Sequence, residues 1–488
     1  MLSRRQLYFI ACFLVLPLLV WQFVSLSNQY SLPEPRLWTQ TICSALLPAK
    51  DDTHTLPQKR HRVAVASTFG FHHDVYMSLV WTLERVMARS QTGGTVEVYA
   101  PFPFGFGFQD IVEAQQLYHG EVKSPDVLIE VLNNNMGDGG IDLVILGTCE
   151  IDLRWGWPED LLLAWDARDE AHKFKLVCIV HNIKDDGWQS AITEWARRGA
   201  IRTSAISEHV AAAFRRSFLI RADSEDISIC SAGYENIPID VHVPVLDIPV
   251  AEDHRDRSSR VLSDAVIQGS FNTDRRDYLR IFTELKESLL RDPRVWGYLP
   301  LVTEDAAYVV DTTRPDPPFQ LFLIGSGYLE IPHELQNMVI IREGLNYSDF
   351  YTLISDMDIC VPAFSERNGL GTYYEDQASS TFAMAVECNV PILVTERMKA
   401  SYKYVNDRRA VVTRPAGMRE VEALRALRSG DASYFLHRTG ISLDSSTAKA
   451  AEDMMRGGWR RSEEEFRSFK QDIWKANDGV AERILRDL

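Results

Sequence analysis

Short apolar runs alternate with stretches of helical periodicity from Arg62 onwards. The first run covers 63–68 and precedes a helical pattern over 77–87, and a second run covers 95–100. The alternation continues through runs at 142–148, 175–182, 201–207 and 227–232, with a helical pattern over 210–218. Apolar strands that alternate with amphipathic helices are typical of βαβ units, in which a parallel sheet is covered on both faces. The first half of the chain is therefore predicted to be an α/β domain.

A second series of the same kind follows a polar, proline-containing stretch. It comprises runs at 265–271, 319–327, 358–364 and 391–396, with helices over 278–290, over 347–354 and beyond Ser379. A chain of 488 residues also exceeds what one hydrophobic core usually organises. The pattern predicts two doubly wound α/β domains over 61–245 and 261–456, a linker over 246–260, and amphipathic helices over 457–488, for which the family resemblance described below implies a crossing back to the first domain.

The amino terminus predicts a membrane anchor. Leu7–Leu26 contains no charged residue and follows Arg4 and Arg5. As a helix it spans about 30 Å, the thickness of a bilayer's hydrocarbon core. The basic pair favours a cytoplasmic amino terminus. The predicted parts are a tail over 1–6, a transmembrane signal anchor over 7–26 and a stem over 27–60. A cleaved signal peptide is the alternative, although its apolar core is usually shorter.

Two loops of the second domain predict an anion site. Ligands of open parallel sheets bind beyond the carboxyl ends of the strands. Arg275 and Arg276 follow the 265–271 run, and Ser379, Ser380 and Thr381 stand where a helix begins. A helix N-terminus offers free N–H groups and the positive end of a dipole, and a guanidinium binds phosphate strongly. One of the two arginines is predicted to bind a phosphate group, and the alternative is an ordinary surface pair.

Four short motifs carry a resemblance to a known family. Gly325 and Gly327 end one strand, a small helix follows over 347–354, Pro362 ends the next strand, and Asn389–Ile392 leads into the last. This order resembles the nucleotide-sugar half of GT-B glycosyltransferases, especially the retaining, glycogen-synthase-like group. The resemblance implies two Rossmann-like, doubly wound parallel-sheet domains that face a cleft. It also implies metal-independent sugar transfer, with a nucleotide sugar as the donor substrate and no cofactor.

The resemblance further implies which residues form the site. The donor-binding residues implied are Gly269, Gly325, Gly327, Ser379, Ser380 and Thr381, and the catalytic residues are Arg275, Arg276, His181, Glu375 and Asp376. The resembled group carries two glutamates eight positions apart near the last helix. Counting back from Pro391 places Asp376 and Met384 at these positions. Asp376 or Glu375 is expected to hold donor-sugar hydroxyls, whereas Met384 replaces the glutamate that holds the ribose, with Glu387 one turn away.

Two loops of the first domain predict an acceptor site. His72 and His73 stand beside Asp74 after the first strand, where an imidazole could position or deprotonate a hydroxyl, and the alternative is an ordinary helix cap. The loop 101–108 carries Phe104 and Phe106, as an aromatic platform for an acceptor or as a hydrophobic plug. Both alternatives stay open at this point.

Composition excludes several classes of function. A net charge of −16 argues against a nucleic-acid surface. The seven cysteines show no CxxC or His/Cys cluster, so no zinc site is predicted, and buried thiols are favoured over a disulfide scaffold. Asp356 and Asp358 form a D-x-D string, which holds a cation in other glycosyltransferases, but its late position favours a structural role. Asn346 begins a sequon that a lumenal protein could glycosylate.

The predicted function is therefore a membrane-anchored glycosyltransferase of the single-pass type II topology. Its localisation would be the Golgi or endoplasmic reticulum membrane. Its predicted partners are a nucleotide sugar, a glycan, protein or lipid acceptor, and the membrane through residues 7–26. One alternative is a catalytically silent GT-B protein that acts as a binding partner or chaperone, suggested by Met384. A GT-B relative with other nucleotide-sugar chemistry, such as epimerisation, is a further alternative.

Overall fold

The computed structural model describes residues 60–90, 93–184, 187–225, 232–249, 260–303, 306–365, 373–437 and 443–488. The predicted cytoplasmic tail, transmembrane anchor and nearly all of the stem lie outside these residues, as does most of the predicted strand over 227–232. Across the described ranges, no helix has the length and apolar character needed to cross a bilayer.

Two parallel sheets form the framework. Within the described residues the first sheet contains β1 His61–Ala66, β2 Gly94–Tyr99, β3 Val122–Lys123, β4 Leu143–Leu146, β5 Lys175–Val180, β6 Ile201–Ala205 and β7 Ile239–Val241. The second contains β8 Asp264–Gln268, β9 Gln320–Gly325, β10 Val339–Glu343, β11 Ile359–Cys360, β12 Ile392–Val394 and β13 Val411–Thr413. The strand orders are β3-β2-β1-β4-β5-β6-β7 and β10-β9-β8-β11-β12-β13. The prediction of two doubly wound parallel-sheet domains is confirmed.

Helices cover both faces of each sheet. In the first domain they are His73–Arg89, Phe108–Ala114, Leu128–Asn134, Cys149–Ile151, Pro158–Asp166, Thr193–Arg197 and Glu208–Ala222. In the second they are Tyr278–Arg291, Tyr347–Ser355, Ser380–Glu387, Glu396–Ser401, Glu420–Ser429, Ser433–Leu436 and Ser445–Gly457. The helix Glu463–Arg486 ends the chain. The central strands are buried on both sides, so every position of β4 and nearly every position of β5 and β9 is apolar and inaccessible.

The strand order creates a reversal point in each sheet. In the first, the chain leaves β1 for β2 on one side and later returns to place β4 on the other side. In the second, β8 lies between β9 and β11 in the same way. The loops that follow these strands diverge at the reversal point and leave a crevice at the carboxyl ends. The register pairs Ala66 with Leu146, so β1 and β4 end at the same level.

The last helix packs on the first domain. Trp474 meets Trp81 edge-to-face with ring centroids 5.4 Å apart, and Arg89 donates to Asp478 at 2.7 Å. Asn477 forms two hydrogen bonds with the backbone of Val243. Its side chain accepts from the N–H at 3.0 Å and donates to the carbonyl at 2.8 Å. The segment that leaves the first domain is thus held by the same helix that returns to it.

The structure corrects the prediction that the cysteines are thiols. Cys149 and Cys178 form a disulfide with an S–S distance of 2.11 Å. Their Cα atoms lie 5.3 Å apart, because Cys149 follows the end of β4 and folds against the neighbouring strand β5 that carries Cys178. Cys360 and Cys388 are buried free thiols, as expected from their apolar surroundings.

Candidate functional site

A cleft of about 700 Å³ lies where the carboxyl ends of the two sheets face each other. First-domain loops after β1, β4 and β5 form one wall, and second-domain loops after β8, β9 and β10 with the N-terminus of the helix Ser380–Glu387 form the other. Of the predicted site residues, those that line this cleft are His72, Phe106, His181, Gly269, Gly325, Arg276, Ser379 and Ser380. Position at the end of a parallel strand or the start of a helix is common to nearly all of them.

Arg276 is the most unusual side chain of the cleft. Its exposed fraction is only 1%. The guanidinium donates to the carbonyl of Pro362, to Thr381 Oγ1 at 2.8 Å and to Ser379 Oγ at 3.3 Å, while its Nε is buried without a hydrogen-bond partner. No described carboxylate pairs with it. A buried cation is costly unless an anion compensates its charge.

The start of the helix Ser380–Glu387 adds to the positive potential beside Arg276. Ser379 is the N-cap, and its hydroxyl accepts from Thr381 N–H at 3.4 Å. The N–H of Ser380 points out of the first turn without an intrahelical acceptor, and Ser380 is exposed to the cleft. A buried guanidinium and a helix N-terminus that meet at one point form a site suited to phosphate.

Arg275 is placed differently from its neighbour. Its carbonyl accepts from Ser365 N–H at 2.9 Å, and its guanidinium lies 5.9 Å from the ring centre of Tyr373. It does not line the cleft. Of the two predicted arginines, the structure brings only Arg276 to the anion site.

Two glycines allow the loops after β8 and β9 to meet the anion site. A Cβ on Gly325 would lie 1.9 Å from the carbonyl oxygen of Gly269, so this position accepts no side chain. Gly269 has φ of +129°, and a Cβ there would lie 2.5 Å from Arg276 Nη2. Gly327 is also left-handed at +129°, but its N–H donates to Glu343 Oε1 at 3.2 Å and it does not line the cleft. Close approach of the two loops to each other and to Arg276 explains the first two glycines.

His72 and His181 form a stacked pair on the opposite wall. Their ring centroids lie 4.4 Å apart with an interplanar angle of 21°, and Thr148 Oγ1 approaches His72 Nδ1 at 3.5 Å. His72 has a left-handed backbone with φ of 60°, which costs a non-glycine residue about 1–2 kcal/mol. The pKa of His72 lies well below its usual range. The main cause is that protein atoms around the ring disfavour its charged form, and the second cause is repulsion from His181. A neutral imidazole of this kind can accept a proton from a hydroxyl.

His73 and Phe104 are not brought into the cleft. His73 is 2% exposed. Its Nδ1 lies 2.8 Å from the hydroxyl of Tyr76, and its Nε2 accepts from the N–H of Gly105 at 3.1 Å. Phe104, 3% exposed, packs at 4.9 Å from the His73 ring. Both side chains therefore fasten the 101–108 loop to the helix His73–Arg89, and the structure does not place them where an acceptor could touch them.

Phe106 takes the opposite position in the same loop. It is 56% exposed, and Phe71 beside it is 50% exposed. Their ring centroids are 6.0 Å apart, and Phe69 continues the row at 5.2 Å from Phe71. All three line the cleft. The loop thus combines the two alternatives that the sequence left open. Phe104 is packed in the interior, and Phe106 belongs to an exposed aromatic surface.

Acid is expected to destabilise the fold through His73. Burial lowers its pKa to about 4, whereas the unfolded chain binds a proton at about 6.5. Between these values the unfolded state binds more protons, so stability is fully present above pH 6.5 and falls towards pH 4. Relative to a His73→Gln variant, the wild type should lose about 2–3 kcal/mol between pH 7 and 4.5, as measured by urea unfolding.

The matched control is His172→Gln, since His172 is a surface histidine whose pKa is raised by Asp138 and Asp169. The His172→Gln variant should lose as much unfolding free energy in acid as the wild type does, in contrast to His73→Gln. An identical acid response in wild type and His73→Gln would show that the His73 ring titrates normally in the folded protein.

Asp152 joins the two loops at the reversal point of the first sheet. Its exposed fraction is zero. One carboxylate oxygen accepts from Thr68 N–H at 2.7 Å and from the hydroxyls of Ser67 and Thr68 at 3.1 and 3.0 Å, and the other accepts from Thr148 N–H at 2.9 Å. Burial raises the pKa of Asp152 to about 6. The residue fixes the loop that carries His72 relative to the loop that begins at Thr148.

Glu375 and Asp376 lie beside the cleft and do not line it. Asp376 faces Lys184 at 3.7 Å, and its carbonyl accepts from Ile183 N–H at 3.1 Å. Glu375 lies 3.6 Å from Arg397. Both therefore belong to contacts around the segment where the two domains touch. Their predicted catalytic roles stay predictions, since the structure places neither carboxylate against the donor site.

Met384 and Glu387 also differ in position. Met384 lines the cleft, whereas Glu387 is 1% exposed at the far end of the same helix. The Glu387 carboxylate accepts from Leu246 N–H at 2.8 Å and from the hydroxyl of Tyr351 at 3.2 Å. Burial raises its pKa well above the usual range. Glu387 thus holds the segment between the two domains at Leu246. In the cleft, Met384 occupies the position where the resembled group has a glutamate.

Asp358 has a structural role. One oxygen of this inaccessible carboxylate accepts from Ser263 N–H at 2.6 Å and from Asp264 N–H at 3.0 Å. It precedes β11 and therefore lies at the amino ends of the strands, opposite the cleft. Across the described residues, no group of three or more His, Cys, Asp or Glu side chains is arranged to hold a metal ion.

Several cleft residues were missed by sequence reasoning. Glu150 and Thr148 follow β4, and Arg342 is the last residue but one of β10 and is exposed in the lining of the cleft. The rule that ligands lie beyond strand ends, applied to every strand, would have found the first two. Arg342 was missed because the apolar residues before it, 338–341, were not interpreted as a strand.

Comparisons with known proteins give remote structural similarity only. No protein-family profile and no curated protein matches the sequence. A GtfA/B complex aligns at 10% identity with a TM-score of 0.36, over 73% of this chain and 61% of that chain, so the match spans about three fifths of its length. An alpha-glucosyltransferase in complex with UDP and a mismatched 13-mer DNA aligns at 10% identity with a TM-score of 0.44, over 85% of this chain and 99% of that chain. The UDP-GlcNAc 2-epimerase of Methanocaldococcus jannaschii, in complex with UDP-GlcNAc and UDP, aligns at 10% identity with a TM-score of 0.32, over 88% of this chain and 100% of that chain. TM-scores this low at such identities carry no argument about activity.

Proposed function

We propose that this chain is a glycosyltransferase that binds the diphosphate of a nucleotide sugar between Arg276 and the start of the helix Ser380–Glu387. The observation that carries the proposal is the buried guanidinium of Arg276, which has no described carboxylate partner and a free Nε beside a helix N-terminus. A bound diphosphate compensates this charge. It also supplies an acceptor for the free N–H of the first helical turn.

The same arrangement assists sugar transfer. Negative charge grows on the nucleoside diphosphate as its bond to the sugar breaks, and a fixed cation with a helix dipole stabilises this charge without reorganisation. The opposite wall offers the neutral imidazole of His72, the His181 ring stacked on it, and exposed aromatic rings at Phe71 and Phe106. Aromatic rings stack on sugar faces, and the His72 imidazole accepts a hydroxyl proton. The cleft therefore supports a donor on one wall and a hydroxyl-bearing acceptor on the other.

The finer parts of this proposal come from the sequence. They are retention of configuration, independence of metal ions, a type II signal anchor over 7–26 and a lumenal acceptor in the Golgi or endoplasmic reticulum. The retaining assignment follows the resembled group, and the anchor follows the uncharged run after Arg4 and Arg5. Protection of the ectodomain from protease in intact vesicles tests the topology.

A second candidate function is a binding protein without catalysis. It is favoured by one observation, namely Met384 at the cleft position where a glutamate is expected, with Glu387 engaged by Leu246 and Tyr351. A thioether cannot accept the hydrogen bonds of ribose hydroxyls as a carboxylate does. The two candidates share the anion site and differ in whether a sugar is released from the donor.

One experiment tests both candidates. UDP, GDP and ADP sugars are titrated into the full-length protein by calorimetry, and sugar release is then followed with each donor that binds. We expect micromolar binding of one nucleotide class and release or transfer of its sugar. Binding without any release selects the silent protein, and the absence of binding to every nucleotide contradicts both candidates.

A further inference from the structure

A row of aromatic rings runs along the first-domain wall of the cleft. It starts at His72, whose ring centroid lies 5.2 Å from that of Phe69. Phe69 lies 5.2 Å from Phe71, and Phe71 lies 6.0 Å from Phe106, again between ring centroids. All four side chains line the cleft. They are called the aromatic row below.

The rings of the aromatic row are open to a ligand. Phe69 is partly buried, Phe71 is 50% exposed and Phe106 is 56% exposed. The accessibility of the three phenylalanines therefore increases with their position along the row, away from the histidine end. His72, also exposed, is stacked on His181 at that end. A molecule that extends along the row would have one end at the histidine pair and the other at Phe106.

The chain is fastened on both sides of Phe106. Before it, Phe104 is buried with its ring centroid 4.9 Å from that of His73. After it, the inaccessible Phe108 meets Tyr347 of the second domain edge-to-face at 4.7 Å. Phe106 itself has a left-handed backbone with φ of 54°, which costs about 1–2 kcal/mol. Strain of this kind is concentrated at ligand sites, so the exposed ring is a built feature of the cleft.

Charge on the same wall favours an uncharged ligand. Among the described first-domain residues that line the cleft there is no lysine or arginine, whereas the carboxylates of Asp74 and Glu150 are present. An anionic acceptor would meet like charge and no compensating cation on this wall.

Polar side chains beside the rings favour a sugar over a lipid tail. His72 and Asn182 are at least partly accessible in the cleft lining. A lipid tail is best matched by a continuous apolar surface. A pyranose has an apolar face for an aromatic ring and hydroxyl groups at its edge for polar side chains.

We propose that the acceptor is an uncharged oligosaccharide, with its terminal sugar residue beside His72 and the preceding residues on the faces of Phe71 and Phe106. Separations of 5.2 and 6.0 Å between ring centroids are close to the spacing of consecutive residues in a sugar chain. The word acceptor rests on the proposed function, whereas binding of an oligosaccharide to the aromatic row is measurable without any transfer.

The variant Phe106→Leu separates stacking from simple apolar contact. Leucine keeps an apolar side chain at the same position but has no flat face, so it loses the contact with a sugar and keeps one with a lipid. Phe102→Leu is the matched control, because Phe102 belongs to the same loop and is also 56% exposed but does not line the cleft.

Calorimetry on the full-length protein without nucleotide tests the proposal. The probes are maltotriose, cellotriose, mannotriose and triacetylchitotriose, each compared with its monosaccharide. We expect one trisaccharide to bind about tenfold or more tighter than its monosaccharide, since stacking on further rings adds affinity. Phe106→Leu should weaken that trisaccharide by about fivefold or more and the monosaccharide by less than about twofold. Phe102→Leu should change neither affinity.

Several results would overturn the proposal. They are no binding of any trisaccharide, equal affinity for trisaccharide and monosaccharide, or unchanged trisaccharide affinity in Phe106→Leu. Tighter binding of trigalacturonate than of every neutral trisaccharide would assign the row to an anion. Tighter binding of octyl glucoside than of every trisaccharide, unchanged in Phe106→Leu, would assign it to a lipid.

Titration of UDP, GDP and ADP sugars on the same preparation separates this inference from the proposed function. If no nucleotide sugar binds while trisaccharide binding still depends on Phe106, the proposed function fails and the oligosaccharide site stands. Nucleotide-sugar binding without any trisaccharide binding gives the reverse result.

Discussion

Replacing Arg276 with methionine is expected to weaken binding of a nucleoside diphosphate by roughly 10- to 150-fold. Hydrogen bonds to a charged partner contribute about 1.5–3 kcal/mol, which corresponds to this range of affinity. The free nucleoside lacks the charge that Arg276 meets, so its affinity should change less than threefold. Methionine also fills the buried space that the arginine stem occupies, which limits the structural disturbance. Calorimetry with the diphosphate and with the nucleoside measures the two affinities on the same preparation.

Arg275→Met is the matched control for this prediction. Arg275 neighbours Arg276 in the chain and has the same charge, but it is only partly buried and does not line the cleft. The control should bind the diphosphate within threefold of the wild type. A loss of diphosphate and nucleoside affinity together would indicate general disruption. Equal effects of the two substitutions would contradict the placement of the donor site.

Loss of the disulfide between Cys149 and Cys178 is expected to lower the free energy of unfolding by about 3–4 kcal/mol. The bond closes a loop with a sequence separation of 29 residues, and constraint of the unfolded chain by a loop of this length gives roughly this stabilisation. Urea unfolding of wild type and the Cys149→Ser/Cys178→Ser variant under oxidising conditions measures it. Serine is close to cysteine in size and cannot form the bond, but it adds a buried hydroxyl, whose cost is measured by the control with reductant.

A reducing agent provides the control for this second prediction. With the bond broken in both proteins, the difference in unfolding free energy should fall by about 3–4 kcal/mol, since only the cost of the two buried hydroxyls remains, about 1–3 kcal/mol each. A difference that persists unchanged in reductant would assign the effect to packing of the serines. No difference under oxidising conditions would show that the bond does not form in solution.

The central strands of both sheets were predictable, but the edge strands were not. The runs at 63–68, 142–148, 175–182 and 265–271 are buried on both faces, so they are continuously apolar and stand out from the sequence. The strands that the pattern missed, β3, β7, β10 and β13, are the four outermost strands of the two sheets. Each has one side without a neighbouring strand, and β3, β7 and β13 have only two or three residues. Their sequences are therefore under weaker apolar constraint.

The site residues were also predictable only in part. Arg276, Ser379 and His181 were found because each follows a strand or begins a helix, and chain position alone brings such residues to the rim of a parallel sheet. His73, Phe104 and Arg275 occupy similar chain positions and lie outside the cleft. Which of two adjacent side chains turns inwards depends on the backbone angles of the loop and on nearby packing, as for Gly105 N–H, which donates to His73.

The sequence by itself determined the architecture of this protein, because the period of apolar residues depends on local backbone geometry and on burial of whole elements. It also predicted the rim at which ligands are expected to bind, and that one arginine meets a helix start. The tertiary structure alone decided that Cys149 reaches Cys178, that Glu387 accepts from the backbone of Leu246, and that Glu150 accepts from the backbone of His181 and Asn182. These features arise from contacts between residues that lie about 30 to 140 positions apart, and a short-range pattern in the chain contains no record of which distant groups will meet.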